Sequence, residues 1–208
     1  SNILIPPITL GVKAWRKYIY SNILKPYSGR RDGELRIPQS PLGKDKYHMK
    51  NIKEKSKALA SVAVCLAAGI AGSLFTYSSV KTWYPLLRKP FFNPPGWIFA
   101  PVWTFLYLLM GLSLFIVWMS RDVLPEIKKR AIFFFGIQLL LNVAWSFLFF
   151  GLRNPFLALA EIIILWFFIM STFLLFKKIS RTAAYMLLPY LAWVTFAIIL
   201  NLSIAILN

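Results

Sequence analysis

An all-α integral membrane protein is predicted by three features of this sequence. It is 58% hydrophobic and 15% charged, more apolar than an ordinary globular domain. Five apolar segments follow one another, each near the ~20 residues a helix needs to cross ~30 Å of hydrocarbon. Of the connections between them only the first is long, and its prolines mark it as an irregular, proline-rich lid loop between helices 1 and 2.

Composition also narrows the chemistry. The formal charge of +17 comes from 24 Lys plus Arg against 7 Asp plus Glu, and the stretch from Lys13 to Lys57 holds more than half of the cations. That distribution suits the anionic surface of a lipid bilayer, and no aromatic-interleaved motif directs it to nucleic acid. Cys65 is alone in an apolar run, where a thiol behaves as a small hydrophobe. His48 is the only histidine and lies in the basic tail, so no cluster of metal ligands, for zinc or haem iron, is expected within the membrane. With one intramembrane carboxylate, no intramembrane histidine and one isolated thiol, no conventional acid–base or nucleophilic constellation is expected either.

Residues 1–48 form a basic, proline-containing N-terminal extension. Its apolar start, Ile3 to Leu10, is too short to span, and its cations follow that stretch where a secretory signal would place them before it. Lys13 to Tyr20, KAWRKYIY, reads either as an interfacial segment with its aromatics facing the lipid or as an unstructured tail. Met49 opens MKNIKEKSKALASVAV, which reads like a natural start, so the extension is an added tail, a docking segment for a partner, or an upstream extension of the reading frame. The membrane domain is expected over 49–208.

The five spans are placed at Ala58–Ser79, Ile98–Ser120, Ala131–Gly151, Pro155–Phe176 and Ala183–Leu207. The first carries Ala68, Gly69, Gly72 and Ser73, small residues at the spacing that lets helices approach closely. Cations gather in the tail, in the second loop (Arg121, Lys128, Lys129, Arg130) and in the fourth (Lys177, Lys178, Arg181). The retention of Lys and Arg on the cytoplasmic side then predicts a bacterial inner-membrane protein with a cytoplasmic N-terminus, and with lid and C-terminus outside.

The lid, Lys81 to Trp97, contains Pro85, Pro90, Pro94 and Pro95, with Pro101 just beyond. Each proline lacks a backbone donor and biases its predecessor toward extended geometry, so a continuous helix up to the mouth of the second span is not expected. Irregular backbone at membrane depth must be buried by protein or reached by water. Trp97 and Phe99 are therefore expected to line a cavity under the lid.

Trp103 and Tyr107 stand one turn apart, on a face leading down from that mouth; the alternative is an interfacial aromatic belt. Gln138, Asn142 and Trp145 share a face of the third helix. Amides are costly in hydrocarbon unless bonded, so these either glue helices together or offer hydrogen bonds to a ligand, Asn142 the more so. Glu161 is the only acid inside a span, and reads as a functional group or as a carboxyl hydrogen-bonded to Gln138 or Asn142. Tyr190, Trp193, Ala197 and Asn201 repeat every three or four residues along one face of the last helix.

Three ordered motifs carry a resemblance. The run W-Y-x-x-L-x-K-P-x-F-x-P-P-x-W-x-x-x-P-V-W-x-x-L-Y-x-x-M-G from Trp83 to Gly111, Q-x-x-L-N-x-x-W from Gln138 to Trp145, and LPYLAWVTFAIILN ending at Asn201 resemble the tryptophan-rich sensory protein and translocator protein family. The resemblance implies a bundle of five transmembrane helices, usually a homodimer, with a pocket capped by the lid. It implies porphyrin or haem as ligand, with benzodiazepine-type drugs and, in animals, cholesterol, and no obligatory cofactor. Carried onto this sequence, the ligand-binding set is Trp97, Trp103, Tyr107, Asn142, Trp145, Trp193 and Ala197. Some bacterial members are described as degrading protoporphyrin IX in light with two pocket tryptophans required, here Trp103 and Trp193. After Asn201 the sequence LSIAILN lacks the tyrosine and arginine of the animal members' cholesterol motif. A rival reading makes the protein a non-enzymatic subunit of a larger pigment or haem complex, docked through the basic tail.

Overall fold

The computed structural model describes residues 41–208 apart from residue 122, with side chains from Glu54 onward. The chain divides between Lys44 and Asp45, and the second unit, Asp45–Asn208, contains all five candidate spans. The expectations for Ile3 to Leu10 and Lys13 to Tyr20 lie outside the described residues, as does most of the extension.

The described residues are all-helical, and five helical stretches are long and apolar enough to span a bilayer: Glu54–Thr82, Gly96–Met119, Pro125–Gly151, Pro155–Ile179 and Arg181–Leu207. Helix α1 runs over Pro41–Thr82, passing through Met49 without interruption. Within the spans, serine and threonine hydroxyls turn back onto their own helix, as Ser61 does onto the Lys57 carbonyl at 2.8 Å and Thr104 onto that of Ala100 at 2.9 Å. Such local bonds satisfy polar groups that lipid cannot.

Helix α2, Gly96–Met119, begins earlier than expected and contains Pro101. The proline is tolerated because the donor it lacks would have bonded the Trp97 carbonyl, in the helix's first turn and at its exposed end. At the other end of α2, the Lys128 ammonium donates to the carbonyls of Trp118 and Ser120 at 2.5 and 2.8 Å, closing orphan acceptors with a cation.

Helix α3, Pro125–Ser146, starts six residues before the predicted span, because Pro125 suits a first helical position and the polar turn Glu126–Arg130 continues into the apolar stretch. It then widens into a π-helical turn, Phe147–Gly151. The Phe150 carbonyl there accepts from the Ser79 hydroxyl of α1 at 2.6 Å. Arg153 adopts a left-handed conformation with φ 53°, which reverses the chain, and the Asn154 side chain accepts from Leu157 N at 3.0 Å to cap α4, Pro155–Ile179.

The fifth span is two helices, α5 (Arg181–Tyr185) and α6 (Leu188–Leu207). Pro189 is the cause, since the missing N–H and the ring's clash with the preceding turn break the ladder at Met186–Leu187. Helices pack most closely where side chains are smallest. A Cβ on Gly111 of α2 would lie 2.7 Å from the Val62 Cα of α1, and one on Gly69 would lie 2.5 Å from the Tyr107 ring. Gly69 of α1 thus seats α2, and a Cβ on Gly72 would lie 3.1 Å from the Ser146 hydroxyl oxygen of α3, so these small residues serve close packing as expected; Ser73 instead faces outward.

Candidate ligand pocket

Two aromatic rungs join α2 to α6. Phe99 meets Trp193 edge to face at 6.0 Å between centroids, and one turn deeper Trp103 meets Tyr190 at 6.2 Å. The helices run antiparallel here, so the i and i+4 positions of α2 meet Trp193 and Tyr190 of α6 in reverse order. Trp103 also stacks on Tyr107 at 5.5 Å. Both tryptophans are half-buried, neither sealed in the core nor turned out to lipid.

Below the lower rung lies a closed polar chain. The Tyr107 hydroxyl donates to Asn142 Oδ1, and Asn142 Nδ2 donates to the Tyr190 hydroxyl at 3.1 Å. All three residues are buried, so one amide on α3 fixes phenols from α2 and α6. Ala197, one turn after Trp193, is half-buried against the same core.

The lid rests on a second aromatic cluster. Trp83 and Tyr84 lie against Phe149 of the π turn at 5.7 and 6.4 Å, and Trp145 stacks on Phe149 at 5.1 Å. Phe92 reaches Phe196, which in turn touches Trp193 at 5.6 Å. The Tyr84 hydroxyl donates to Asn93 Oδ1 at 2.8 Å, tying the short 3₁₀ turn Tyr84–Leu86 to the Asn93–Pro94–Pro95 corner. Burial pushes the Tyr84 phenol above its ordinary range. Asn208 clamps the lid's backbone, accepting from Arg88 N at 2.9 Å and donating to Arg88 O at 3.0 Å.

The structure therefore brings Trp103, Tyr107, Asn142 and Trp193 together, with Ala197 beside them, and places Trp145 beneath the lid. Trp97 does not join them: it is 74% exposed because, at the start of α2, it faces away from the side on which Phe99 meets Trp193. Of the expected lid pair, Phe99 alone makes that contact. Asn201, expected on the same face of the last helix as Tyr190, Trp193 and Ala197, is buried. With its amide oriented to suit its surroundings, it donates to Pro155 O at 3.0 Å and accepts from Leu159 N at 3.1 Å, serving α4. Glu161 and Gln138 are buried, but the expected bond between them is absent; Asn142 spends its amide on the two tyrosines. Sequence reasoning places Phe92 and Phe196 within the quoted motifs without giving them a role, and does not single out Phe149 or the Asn93 and Asn208 clamps. Asn93 before two prolines is a turn signal that points to the first clamp; nothing local marks the second.

Fold and contacts together define a polytopic helical membrane protein whose second and last spans meet through aromatic side chains beside a proline-rich loop. The family model described as TspO/MBR family matches residues 61–207, and the chain belongs to that family. It is 46% identical to the tryptophan-rich protein TspO of Archaeoglobus fulgidus over 152 residues, covering 73% of this chain and 97% of that protein. It is 43% identical to the tryptophan-rich protein TspO of Chlorobaculum tepidum over 151 residues, 71% of this chain and 92% of the relative. Against the translocator protein of Bos taurus it is 38% identical over 136 residues, 64% of this chain and 79% of the relative.

Proposed function

We propose that this TspO/MBR membrane protein binds a tetrapyrrole, porphyrin or haem, beneath its lid and acts as a sensor or transporter-like carrier of it. The observation that carries the reading is the pair of rungs, Phe99–Trp193 and Trp103–Tyr190, standing directly over the Asn142 hydrogen-bond chain. Indole and phenol rings offer flat apolar area of the kind a macrocycle covers, and a few fixed polar groups at one end orient it. Among the described residues no group of three or more His, Cys, Asp or Glu could hold a metal ion, so this reading relies on packing and hydrogen bonds for affinity. Under illumination, Trp103 and Trp193 would be the electron donors nearest a bound porphyrin, and the chemistry would be that of the excited porphyrin itself. The N-terminus is assigned to the cytoplasmic side, because Lys57, Arg121, Lys128, Lys129 and Lys177 gather at one end of the spans.

The test is quenching of tryptophan fluorescence by protoporphyrin IX in the dark, corrected for inner-filter absorption and detergent partitioning. Wild-type protein should bind saturably. Trp103→Phe combined with Trp193→Phe should weaken binding at least ~10-fold, or ~1.4 kcal/mol. Equal affinity of the two proteins would remove these indoles as determinants and sink the pocket assignment.

A further inference from the structure

At the end of the spans away from the lid, cations from separate parts of the chain converge on the last turn of α2. The Lys57 ammonium of α1 stands over the Trp118 ring, 5.6 Å from its centroid. The Lys128 ammonium of α3 donates to the carbonyls of that same Trp118 and of Ser120 at 2.5 and 2.8 Å. Lys57 and Lys128 are thus brought to one residue, near enough for their charges to repel. Arg121, just beyond α2, reaches Glu54 at 3.8 Å.

The protein does not neutralise this pair. Among the described residues the acids at this end are Glu54 and Glu126, and each faces another cation, Arg121 or Lys129. Two like charges held together without an acid favour an anion from outside the chain. The depth identifies its source. Lys57 directly precedes the apolar run of the first span, and Trp118, 38% exposed, is of the residue type that anchors at the headgroup level. Apolar surface then continues from both cations into the bilayer. Val64, two turns on from Lys57 and on the same face, is 53% exposed. Phe115, one turn in from Trp118, is half-buried. A soluble anion would use the cations alone, whereas a lipid uses the cations and this surface together.

We propose that Lys57, Trp118 and Lys128 form a binding site for the phosphate of an anionic phospholipid. Its oxygens accept from Lys57 and from the one Lys128 N–H that the α2 carbonyls leave over. Its acyl chains lie along Val64 and Phe115. A zwitterionic headgroup carries an ammonium of its own and brings no net charge to the pair, so the site selects against it. The bound lipid joins the start of α1 to the end of α2 and the start of α3. The site lies at the other end of the spans from the candidate pocket and does not depend on the tetrapyrrole reading.

Native mass spectrometry of the full-length protein tests this, with phosphatidylglycerol and phosphatidylcholine of the same acyl chains titrated in separate runs. Wild-type protein should retain phosphatidylglycerol in preference. Lys57→Gln removes a charge that makes no hydrogen bond to α2, and should weaken that retention about fivefold. Adding Lys128→Gln should weaken it further, with phosphatidylcholine unaffected. Lys178→Gln with Arg181→Gln removes two exposed cations from the same end of the spans and should change retention less than about twofold. Equal retention of the two lipids by the wild type would overturn the proposal. So would an equal loss in the Lys178 and Arg181 variant, which would show diffuse surface charge in place of a site. Displacement of phosphatidylglycerol by inorganic phosphate would show a site for free anions and reject the lipid. If Lys128→Gln fails to fold because α2 loses its closing cation, Lys57→Gln alone still decides the outcome.

Discussion

The floor of the candidate pocket and the lid are both built on tyrosine hydroxyls bonded to asparagine, yet they are held in different ways. In the floor, Asn142 bonds Tyr107 and Tyr190 from two other helices, and all three residues are buried. In the lid, Tyr84 bonds Asn93 only nine residues away, and Asn208 grips the backbone of Arg88 at an exposed position. A hydrogen bond lost at membrane depth leaves its groups without any partner, whereas one lost at the lid is replaced by water. The floor should therefore be the rigid part of the site, and the lid the part that exchanges its bonds at small cost.

The largest expected effect breaks the floor. Asn142→Leu orphans one buried phenol of α2 and another of α6, and at about 1–3 kcal/mol for each unpaired group the loss should be on the order of 3 kcal/mol in reversible unfolding in detergent. A loss no larger than that of a lid variant would erase the distinction between the regions. Next, Gly69→Ala places a methyl 2.5 Å from a Tyr107 ring that is already stacked on Trp103. The ring cannot yield without leaving Asn142, so overpacking should cost about 1–3 kcal/mol and weaken protoporphyrin binding in the same quenching assay. Binding unchanged in Gly69→Ala would separate Tyr107 from the pocket.

Lid variants should sharpen the contrast from the other side. Tyr84→Phe keeps the ring against Phe149 and removes only the bond to Asn93, costing about 1 kcal/mol. Amide exchange in the 3₁₀ turn Tyr84–Leu86 should rise in this variant while exchange in α2 does not. Smallest of all, Asn208→Ala should leave global unfolding within about 0.5 kcal/mol, with faster hydrogen exchange at Arg88 as its sign. A loss of binding in Asn208→Ala as large as that in the double tryptophan variant would make the clamp part of the ligand site.

The membrane spans are legible because hydrocarbon imposes a length and a composition that few other environments demand. Helices α2 and α3 both start earlier than the apolar pattern predicts. Helix α3 does so because Pro125, outside the apolar run, suits a first helical position whose backbone donor has no work there, whereas α2 gains only Gly96 and Trp97 ahead of Ile98 and carries Pro101 inside the helix, as the predicted span does. The split of the last span at Met186–Leu187 is legible in Pro189 but masked by the apolar run around it. Trp97 shows the limit of motif reasoning, since a residue can hold its place in a pattern and still face outward.

What the sequence by itself determined is the class of protein: five spans with a proline-broken lid, a first span whose small residues admit close packing, and the aromatic and amide residues that had to face inward because lipid gives polar groups no partner. Only the tertiary structure decided which of them meet. That Asn142 takes both tyrosines and leaves Gln138 and Glu161 without a protein partner, that Asn201 serves α4, and that Phe99 rather than Trp97 meets Trp193 all depend on how helices rotate against one another. Rotation is set by close packing of side chains distant in the chain, at Gly69 under Tyr107 and Gly111 against Val62, and no local pattern carries that information.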